Sequence, residues 1–166
     1  MTESTARTPR DVSVPRRWLA SPWLLAGAVV SVYLLSLSGG WLEYDDDWLV
    51  RDNELLTLRD PGVLARVLLD FRPETRLVLG AEYLPVRDVV TGLGRAWLGL
   101  EACGFRLLAL CLYAGACGLV LKWTSSLASL CDDRLREPLL LSAWLFALHP
   151  VHAESVAWLA GLKDVL

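Results

Sequence analysis

Residues 18–41 contain no charged side chain, and this run constrains the fold more than any other part of the sequence. A helix needs about 20 mainly apolar residues to cross a bilayer, so the run is long enough for one span. A cleaved signal peptide is the competing interpretation, and Arg16-Arg17 resembles a twin-arginine signal. The run is longer than the apolar core of a signal peptide and no small-residue cleavage site follows it, which favours an uncleaved first span.

The composition agrees with a membrane protein. Hydrophobic residues make up 54% of the 166 residues and eight residues are tryptophan. Globular chains are about 45–50% apolar, and tryptophan is enriched at membrane interfaces. The net charge of −3 and the lack of a basic stripe predict no nucleic-acid partner. The cysteines form no C-x-x-C pair, so the sequence predicts neither a zinc knuckle nor a disulfide framework.

Charge placement predicts the topology of the first half of the chain. Arginines precede the first span and acidic residues follow it, which places the N-terminus in the cytoplasm. Residues 1–17 are predicted to be a disordered cytoplasmic segment, and residues 42–104 a long extracytoplasmic loop. Residues 105–123 form a second transmembrane helix, in which Arg106 can extend its side chain to the interface, and residues 124–137 form a cytoplasmic loop.

Two further helices are predicted in the remaining sequence. Residues 138–152 form a third, short transmembrane helix, whose apolar stretch covers only about half of a ~30 Å bilayer core. Ser155 is expected to cap a fourth helix within residues 153–166. That helix stops in mid-pattern, which is typical of the first part of a larger membrane protein.

Two stretches of the extracytoplasmic loop have amphipathic helical patterns. Asp60-Pro61 is typical of an N-cap followed by proline at the first helical position, and apolar residues then recur at helical spacing as far as Phe71. In residues 85–100 the apolar side chains share one face, and charged residues such as Arg87 fall off it. We expect both helices to lie along the membrane surface, with packing on a soluble core as the alternative.

The acidic cluster Asp45-Asp46-Asp47 directly follows the first span and is the first candidate site. Adjacent carboxylates repel one another, so one of them near a membrane can have a raised pKa and act as a general base. The cluster is also a candidate site for a divalent cation, although its spacing is not that of an EF-hand. A solvated acidic loop is the alternative without chemistry.

The second candidate is the segment His149-x-x-His152-x-Glu154, in which an apolar run ends in polar groups. Such groups are costly between membrane segments, which favours a turn that lines a cavity or binds a ligand and faces the acidic cluster. Zinc binding is disfavoured because Pro150 interrupts the helix that would align the imidazoles; an ordinary interfacial turn is the remaining interpretation. Lys163, further along, is suited to hold a phosphate, or forms half of a charged pair at a membrane edge.

The segment around these histidines closely resembles a family signature. Residues 149–164, HPVHAESVAWLAGLKD, resemble the HPVHxESVAWxxGRKD signature of the transmembrane and tetratricopeptide-repeat O-mannosyltransferase-like family. Residues 44–53, YDDDWLVRDN, resemble that family's YDDxxxIxxN segment, and residues 83–86, YLPV, resemble its YRPL segment. The resemblance covers roughly residues 40–166.

This resemblance implies an all-α membrane protein with a partial GT-C-like helical bundle, whose long extracytoplasmic first loop carries interfacial helices. It implies transfer of a sugar from a polyprenyl-phosphate donor to a protein acceptor hydroxyl, in a bacterial inner membrane. Asp45 or Asp46 would take the proton from the acceptor. The residues that would line the substrate cavity or face the lipid phosphate are His149, His152, Glu154, Lys163 and Arg87.

The sequence has leucine at two positions where the family pattern has arginine. These residues are Leu84 and Leu162, and the leucine at 162 removes a bidentate contact to phosphate. No tetratricopeptide repeat is present in these residues. The alternative functions are therefore a non-catalytic membrane anchor of a tetratricopeptide-repeat scaffold, or an inactive truncated product.

Overall fold

The computed structural model describes residues 16–43, 45–58 and 60–166. Regular structure in these residues is helical and contains no strand, which confirms the predicted all-α class. The predicted disordered segment 1–17 lies outside the described residues except for its last two, and Tyr44 of the acidic segment also lies outside them.

A helical bundle and a smaller layer of short helices make up the described fold. The α-helices are α1 Arg16–Leu19, α2 Pro22–Tyr33, α3 Pro61–Leu69, α4 Pro73–Val78, α5 Pro85–Leu98, α6 Ala102–Leu130, α7 Asp133–Leu148 and α8 His152–Ala157. Tighter turns are the 3-10 helices Leu34–Ser38, Glu54–Thr57 and Leu159–Asp164, and the π-helical turn Asp46–Arg51. α2, α6 and α7 form the bundle, and the layer that contains α3 to α5 packs near the start of α6.

The bundle core joins the predicted first, second and third spans. Its buried side chains include Leu25, Val29, Leu110, Cys117, Leu121, Leu140, Ala143 and Ala147. The rings of Tyr33 and Tyr113 meet edge to face with centroids 5.5 Å apart. The Tyr113 hydroxyl donates to the carbonyl of Ala147 at 3.0 Å, so this hydrogen bond joins α6 to α7, while the ring contact joins α2 to α6.

Among the described helices, α6 is long and apolar enough to cross a membrane. It corresponds to the predicted second span but extends over Ala102–Leu130. The predicted first span, 18–41, is divided, because the Ser21 side chain accepts from the Leu24 backbone N–H at 3.4 Å and Pro22 starts a new helix. α2 and its 3-10 extension form a shorter apolar helix, Pro22–Ser38.

The predicted loop 124–137 is shorter in the structure, because α6 continues to Leu130 and α7 begins at Asp133. Hydroxyl side chains in this stretch donate to carbonyls of the preceding turn and leave the helix intact. These bonds run from Thr124 Oγ1 to Val120 O, from Ser126 Oγ to Lys122 O and from Ser129 Oγ to Ser126 O, at 2.7–3.0 Å. Asp132 then caps α7.

The fourth helix differs from the prediction in its start and its length. α8 begins at His152, so Ser155 lies inside the helix and does not cap it. The helix ends at Ala157, and extended backbone at Trp158 separates it from the 3-10 helix Leu159–Asp164. This break leaves the Ala160 backbone N–H free to bond outside the segment.

Both predicted loop helices are present. Asp60 caps α3 as expected, and its Oδ1 accepts from the Val63 backbone N–H at 2.9 Å. α5 is oriented with its polar face inward, so Arg87 is buried, whereas Val86 is 61% exposed and Trp97 is 83% exposed. The described residues therefore leave much of the apolar face of α5 uncovered, and its placement along a membrane surface stays a prediction.

Candidate functional site

Asp46 is the buried residue of the acidic cluster, and its carboxylate connects two segments of the chain. Its Oδ1 accepts from the backbone N–H of Ala160 at 2.8 Å, and its Oδ2 accepts from that of Leu42 at 3.2 Å. Burial raises the pKa of Asp46, while these two hydrogen bonds oppose the rise. Because both carboxylate oxygens bind backbone groups, Asp46 joins the end of the first apolar segment to the segment after α8.

Asp45 differs from Asp46 because it reaches a cavity. Its Oδ1 accepts from Trp48 Nε1 at 3.2 Å, and its side chain is only partly buried. The cavity has a volume of about 200 Å³, and its charged and aromatic lining residues are Asp45, Trp48, Glu82, Arg87, Trp158 and Lys163. The third acid of the cluster, Asp47, pairs with Arg51 at 2.6 Å. Asp45 is therefore the carboxylate of the cluster that a small molecule can approach through this cavity.

Lys163, predicted to face the lipid phosphate, and Arg87, predicted to bind substrate, meet at this cavity through Glu82. Lys163 Nζ lies 2.9 Å from Glu82 Oε2, and Arg87 Nη1 lies 3.9 Å from the same oxygen. The hydrogen bond from Lys163 lowers the pKa of Glu82. Residues that are distant in sequence thus place two positive charges and one exposed carboxylate beside Asp45.

Hydrogen bonds to the Leu79 carbonyl and to Asp88 hold the Arg87 guanidinium in place, and sequence patterns predicted neither partner. Arg87 Nη2 donates to the carbonyl of Leu79 and to Asp88 Oδ1, both at 2.6 Å. Burial raises the pKa of Asp88, and its bond to Arg87 opposes the rise. Asp88 was missed because an adjacent Arg-Asp pair on an amphipathic helix usually faces solvent. The available signal was its position opposite the apolar stripe: if that stripe faces a membrane, the opposite face packs against the protein.

The histidines occupy a different environment from Asp45. The His152 ring centroid lies 5.4 Å from that of Tyr113 and 4.6 Å from that of Phe146, and His149 lies 6.5 Å from His152. The His152 ring therefore packs among aromatic rings of α6 and α7. Residues 149–164 were expected to face the acidic cluster. Trp158, Ala160 and Lys163 of this segment line the cavity beside Asp45, whereas the two histidines do not.

Glu154 lines a second cavity, which has a volume of about 620 Å³. Glu43 and Trp158 line the same cavity, and Trp158 also lines the cavity beside Asp45. The indole of Trp158 is therefore common to the environments of Glu154 and Lys163. Sequence patterns pointed to the charged residues of this segment and missed the tryptophan between them.

Arg106 fixes the backbone around the site. It is buried, so the expected extension to the interface is wrong. Its guanidinium donates to the carbonyls of Gly39 and Gly40 and, at 3.2 Å, to that of Ala157. Gly39 and Gly40 follow a 3-10 helix and Ala157 is the last residue of α8. Their carbonyls therefore lack the partner that a continuing helix would provide, which explains why they attract a buried cation.

Metal binding receives no direct support from the geometry. Across the described ranges, no three His, Cys, Asp or Glu side chains are grouped so that they could hold a metal ion. Two of the acidic side chains, Asp46 and Asp47, already bind backbone N–H groups or Arg51. The divalent cation considered for the acidic cluster stays a hypothesis.

The geometry therefore separates the predicted site residues into three groups. Asp45, Arg87 and Lys163 share one cavity, Glu154 lines the neighbouring one, and the histidines pack against α6 and α7. Asp46 supports this arrangement through the backbone. Comparisons of the chain with family models, with curated proteins and with solved structures give no significant match.

Proposed function

We propose that this chain is part of an integral-membrane glycosyltransferase of the O-mannosyltransferase-like type. The reaction moves a sugar from a polyprenyl-phosphate donor to a hydroxyl of a protein acceptor. The observation that carries this proposal is the meeting of Asp45, Arg87 and Lys163 at one cavity. A carboxylate beside two cations provides both a proton acceptor and a binding site for phosphate.

In the proposed reaction, Asp45 accepts the proton of the acceptor hydroxyl while the hydroxyl oxygen attacks the anomeric carbon of the donor. The bond from that carbon to the phosphate oxygen breaks, and polyprenyl phosphate leaves with the bonding electrons. Lys163 and Arg87 stabilise the negative charge on the leaving phosphate. The indole faces of Trp48 and Trp158 offer apolar surfaces against which a sugar ring can pack.

The ion pair between Lys163 and Glu82 is suited to exchange with a ligand. Both side chains are partly exposed, and exposed ion pairs contribute little to stability. A phosphate that replaces Glu82 beside Lys163 also gains the charge of Arg87, which already lies 3.9 Å from Glu82. Glu82 is then displaced towards solvent when the donor binds.

The apolar surfaces of α6 and α5 support a lipid-linked donor. α6 is long and apolar enough to span a bilayer, and α5 directs an apolar face away from the protein. Arg87 lies on the opposite, inward face of α5 and lines the cavity. If α5 rests on the membrane, the cavity lies at the level where the phosphate of a lipid-linked sugar is found.

A non-catalytic membrane anchor for a scaffold is the second candidate. One observation favours it: several charged groups of the site serve the fold. Asp46 uses both oxygens on backbone N–H groups, and Arg87 is paired with Asp88 and the Leu79 carbonyl. In this case the charges position helices and no sugar is transferred.

Sugar transfer by the protein expressed from its complete natural coding sequence separates the two candidates. The assay measures transfer of radiolabelled mannose from polyprenyl-phosphate mannose to membrane proteins in vesicles. We expect Asp45→Asn to lower the rate about 100-fold or more, because it removes the general base. The control Asp52→Asn changes an exposed carboxylate outside the cavity and is expected to retain the rate. Equal rates in both variants would exclude Asp45 as the base, and no transfer by the unaltered protein would favour the anchor.

A further inference from the structure

A separate groove lies between the start of α2 and the second half of α6, far along the bundle from the acidic cluster. Its volume is about 610 Å³. Ala20 and Pro22 form one wall, and Gly115 and Gly118 of α6 form part of the floor. Among the described residues, no atom of a neighbouring element lies within 4 Å of where a Cβ would stand at either glycine, so these residues leave the floor open to an incoming group.

One end of this groove is polar and positively charged. Lys122, Ser125, Ser126 and Ser129 line it at the spacing that places residues on one helix face. Lys122 is exposed and has no ion pair within the part of the chain that the structure describes. No acidic residue is among the described residues that line the groove.

Two exposed tryptophans are next in sequence to residues that line the groove. Trp23 is 85% exposed at the start of α2, and Trp123, which follows Lys122, is 65% exposed. The rings of Trp18 and Trp144 meet edge to face, with centroids 5.7 Å apart. Tryptophan is enriched where lipid headgroups meet the hydrocarbon core, so the charged end of the groove has the character of a membrane interface.

We propose that this groove binds an anionic phospholipid. Lys122 and the Ser125 hydroxyl hold the phosphate, and an acyl chain lies along the exposed backbone of Gly115 and Gly118. Arg17, which is exposed and lies three residues before Ala20 in the sequence, is a further positive charge near this wall of the groove in sequence. Positive charge beside a membrane attracts anionic lipids, and phosphate accepts charge-assisted hydrogen bonds from lysine.

The shape of the groove alone would also fit a second helix, because small residues allow helices to approach closely. Its charge distribution favours a lipid. A membrane helix would place apolar side chains along the whole groove and leave Lys122 unpaired, whereas a phospholipid offers an anion at one end and a hydrocarbon chain at the other. The inference requires α6 to span the membrane, as the proposed function does, but it does not depend on sugar transfer.

Lipid titration of the purified full-length protein tests the inference. The protein in detergent is titrated with phosphatidylglycerol and, separately, with phosphatidylcholine, and bound lipid is counted by native mass spectrometry. We expect Lys122→Gln to weaken phosphatidylglycerol binding about tenfold, because a charge-assisted contact is lost. Arg136→Gln is the matched control, since Arg136 is exposed and does not line the groove.

A second variant tests the apolar part of the groove. Gly118→Leu fills the floor, and its Cβ would meet no described neighbouring atom within 4 Å, so we expect the variant to fold and to lose the lipid. Phosphatidylglycerol should raise the Tm of the unaltered protein and of Arg136→Gln, but not that of Lys122→Gln.

Four outcomes overturn the inference. They are equal binding of phosphatidylcholine, unchanged lipid binding in Lys122→Gln and Gly118→Leu, displacement of the lipid by millimolar inorganic phosphate, and a change of oligomeric mass in Gly118→Leu with lipid binding intact. The third outcome would indicate a site for free phosphate, and the fourth would indicate that a second copy of the chain occupies the groove.

Discussion

Asp46 and Ala160 are joined by a hydrogen bond of 2.8 Å between residues 114 positions apart in the sequence. The carboxylate is fully buried and also accepts from the Leu42 backbone N–H. One side chain thereby holds the segment after α8, which contains Lys163, against the segment that contains Asp45. The cavity between Asp45 and Lys163 depends on this contact.

The bond between Asp46 and Ala160 predicts that Asp46→Asn destabilises the protein. An asparagine has one acceptor oxygen, so its amide group must face one of the two backbone N–H donors, and a buried donor is left unpaired. We expect a loss of about 1–3 kcal/mol in the free energy of unfolding. Thermal unfolding in detergent, followed by circular dichroism, measures the effect. Asp52→Asn is the control because Asp52 is exposed, and equal Tm values for the two variants would contradict the role of Asp46.

The position of the Arg106 guanidinium predicts that alanine at Gly39 lowers the Tm and that alanine at Gly40 does not. A Cβ at Gly39 would lie 2.6 Å from Arg106 Nη1, whereas a Cβ at Gly40 would meet no atom of the described residues within 4 Å. Gly39→Ala is therefore expected to displace the guanidinium from its carbonyl partners and to lower the Tm. Gly40→Ala is expected to leave the Tm nearly unchanged. Similar melting curves for both variants would show that Arg106 does not need its observed position.

The ion pair between Glu82 and Lys163 predicts a pH-dependent effect of Lys163→Gln. Because Lys163 lowers the pKa of Glu82 from its ordinary value of 4.5, the pair stabilises the folded state above that pH. The contribution disappears as the pH falls through the folded pKa of Glu82. The Tm difference between the unaltered protein and Lys163→Gln should therefore be small but measurable at pH 7, and should vanish in acid.

Lys122→Gln is the control for this pH experiment, because Lys122 has no ion pair among the described residues. Its Tm difference from the unaltered protein should not follow the titration of a carboxylate. High salt should reduce the effect of Lys163→Gln at pH 7, since the pair is partly exposed. An effect of Lys163→Gln that is constant between neutral and acid pH would contradict the pairing.

The orientation of α5 predicts that residue 97 contacts lipid. A spin label at Trp97→Cys, in a variant without the natural cysteines, should be more accessible to oxygen than to a water-soluble nickel complex. A label at Glu74→Cys is the control, because Glu74 is exposed on the first turn of α4 and is expected to face water. Higher nickel accessibility at position 97 would show that the apolar face of α5 does not lie on a membrane.

Local sequence patterns predicted several elements correctly. The cap at Asp60, the amphipathic helix after Pro85 and the apolar helix α6 each depend on residues within a few turns of one another. Capping hydrogen bonds and apolar periodicity join residues that are close in sequence, so a local pattern is enough to predict them. Sequence context indicated Lys163 as a phosphate-binding candidate and the family resemblance implied a role for Arg87, but neither gave a reason for the two to share a cavity.

The sequence by itself determined the helical class, the presence of an apolar helix of spanning length, and the charged residues available for chemistry. The tertiary structure decided which of them meet: Lys163 contacts Glu82 across 81 positions, and Asp46 is buried while its neighbour Asp45 reaches a cavity. Adjacent acids look alike in sequence. They differ in the fold because only packing determines which carboxylate faces a distant backbone N–H and which faces open space.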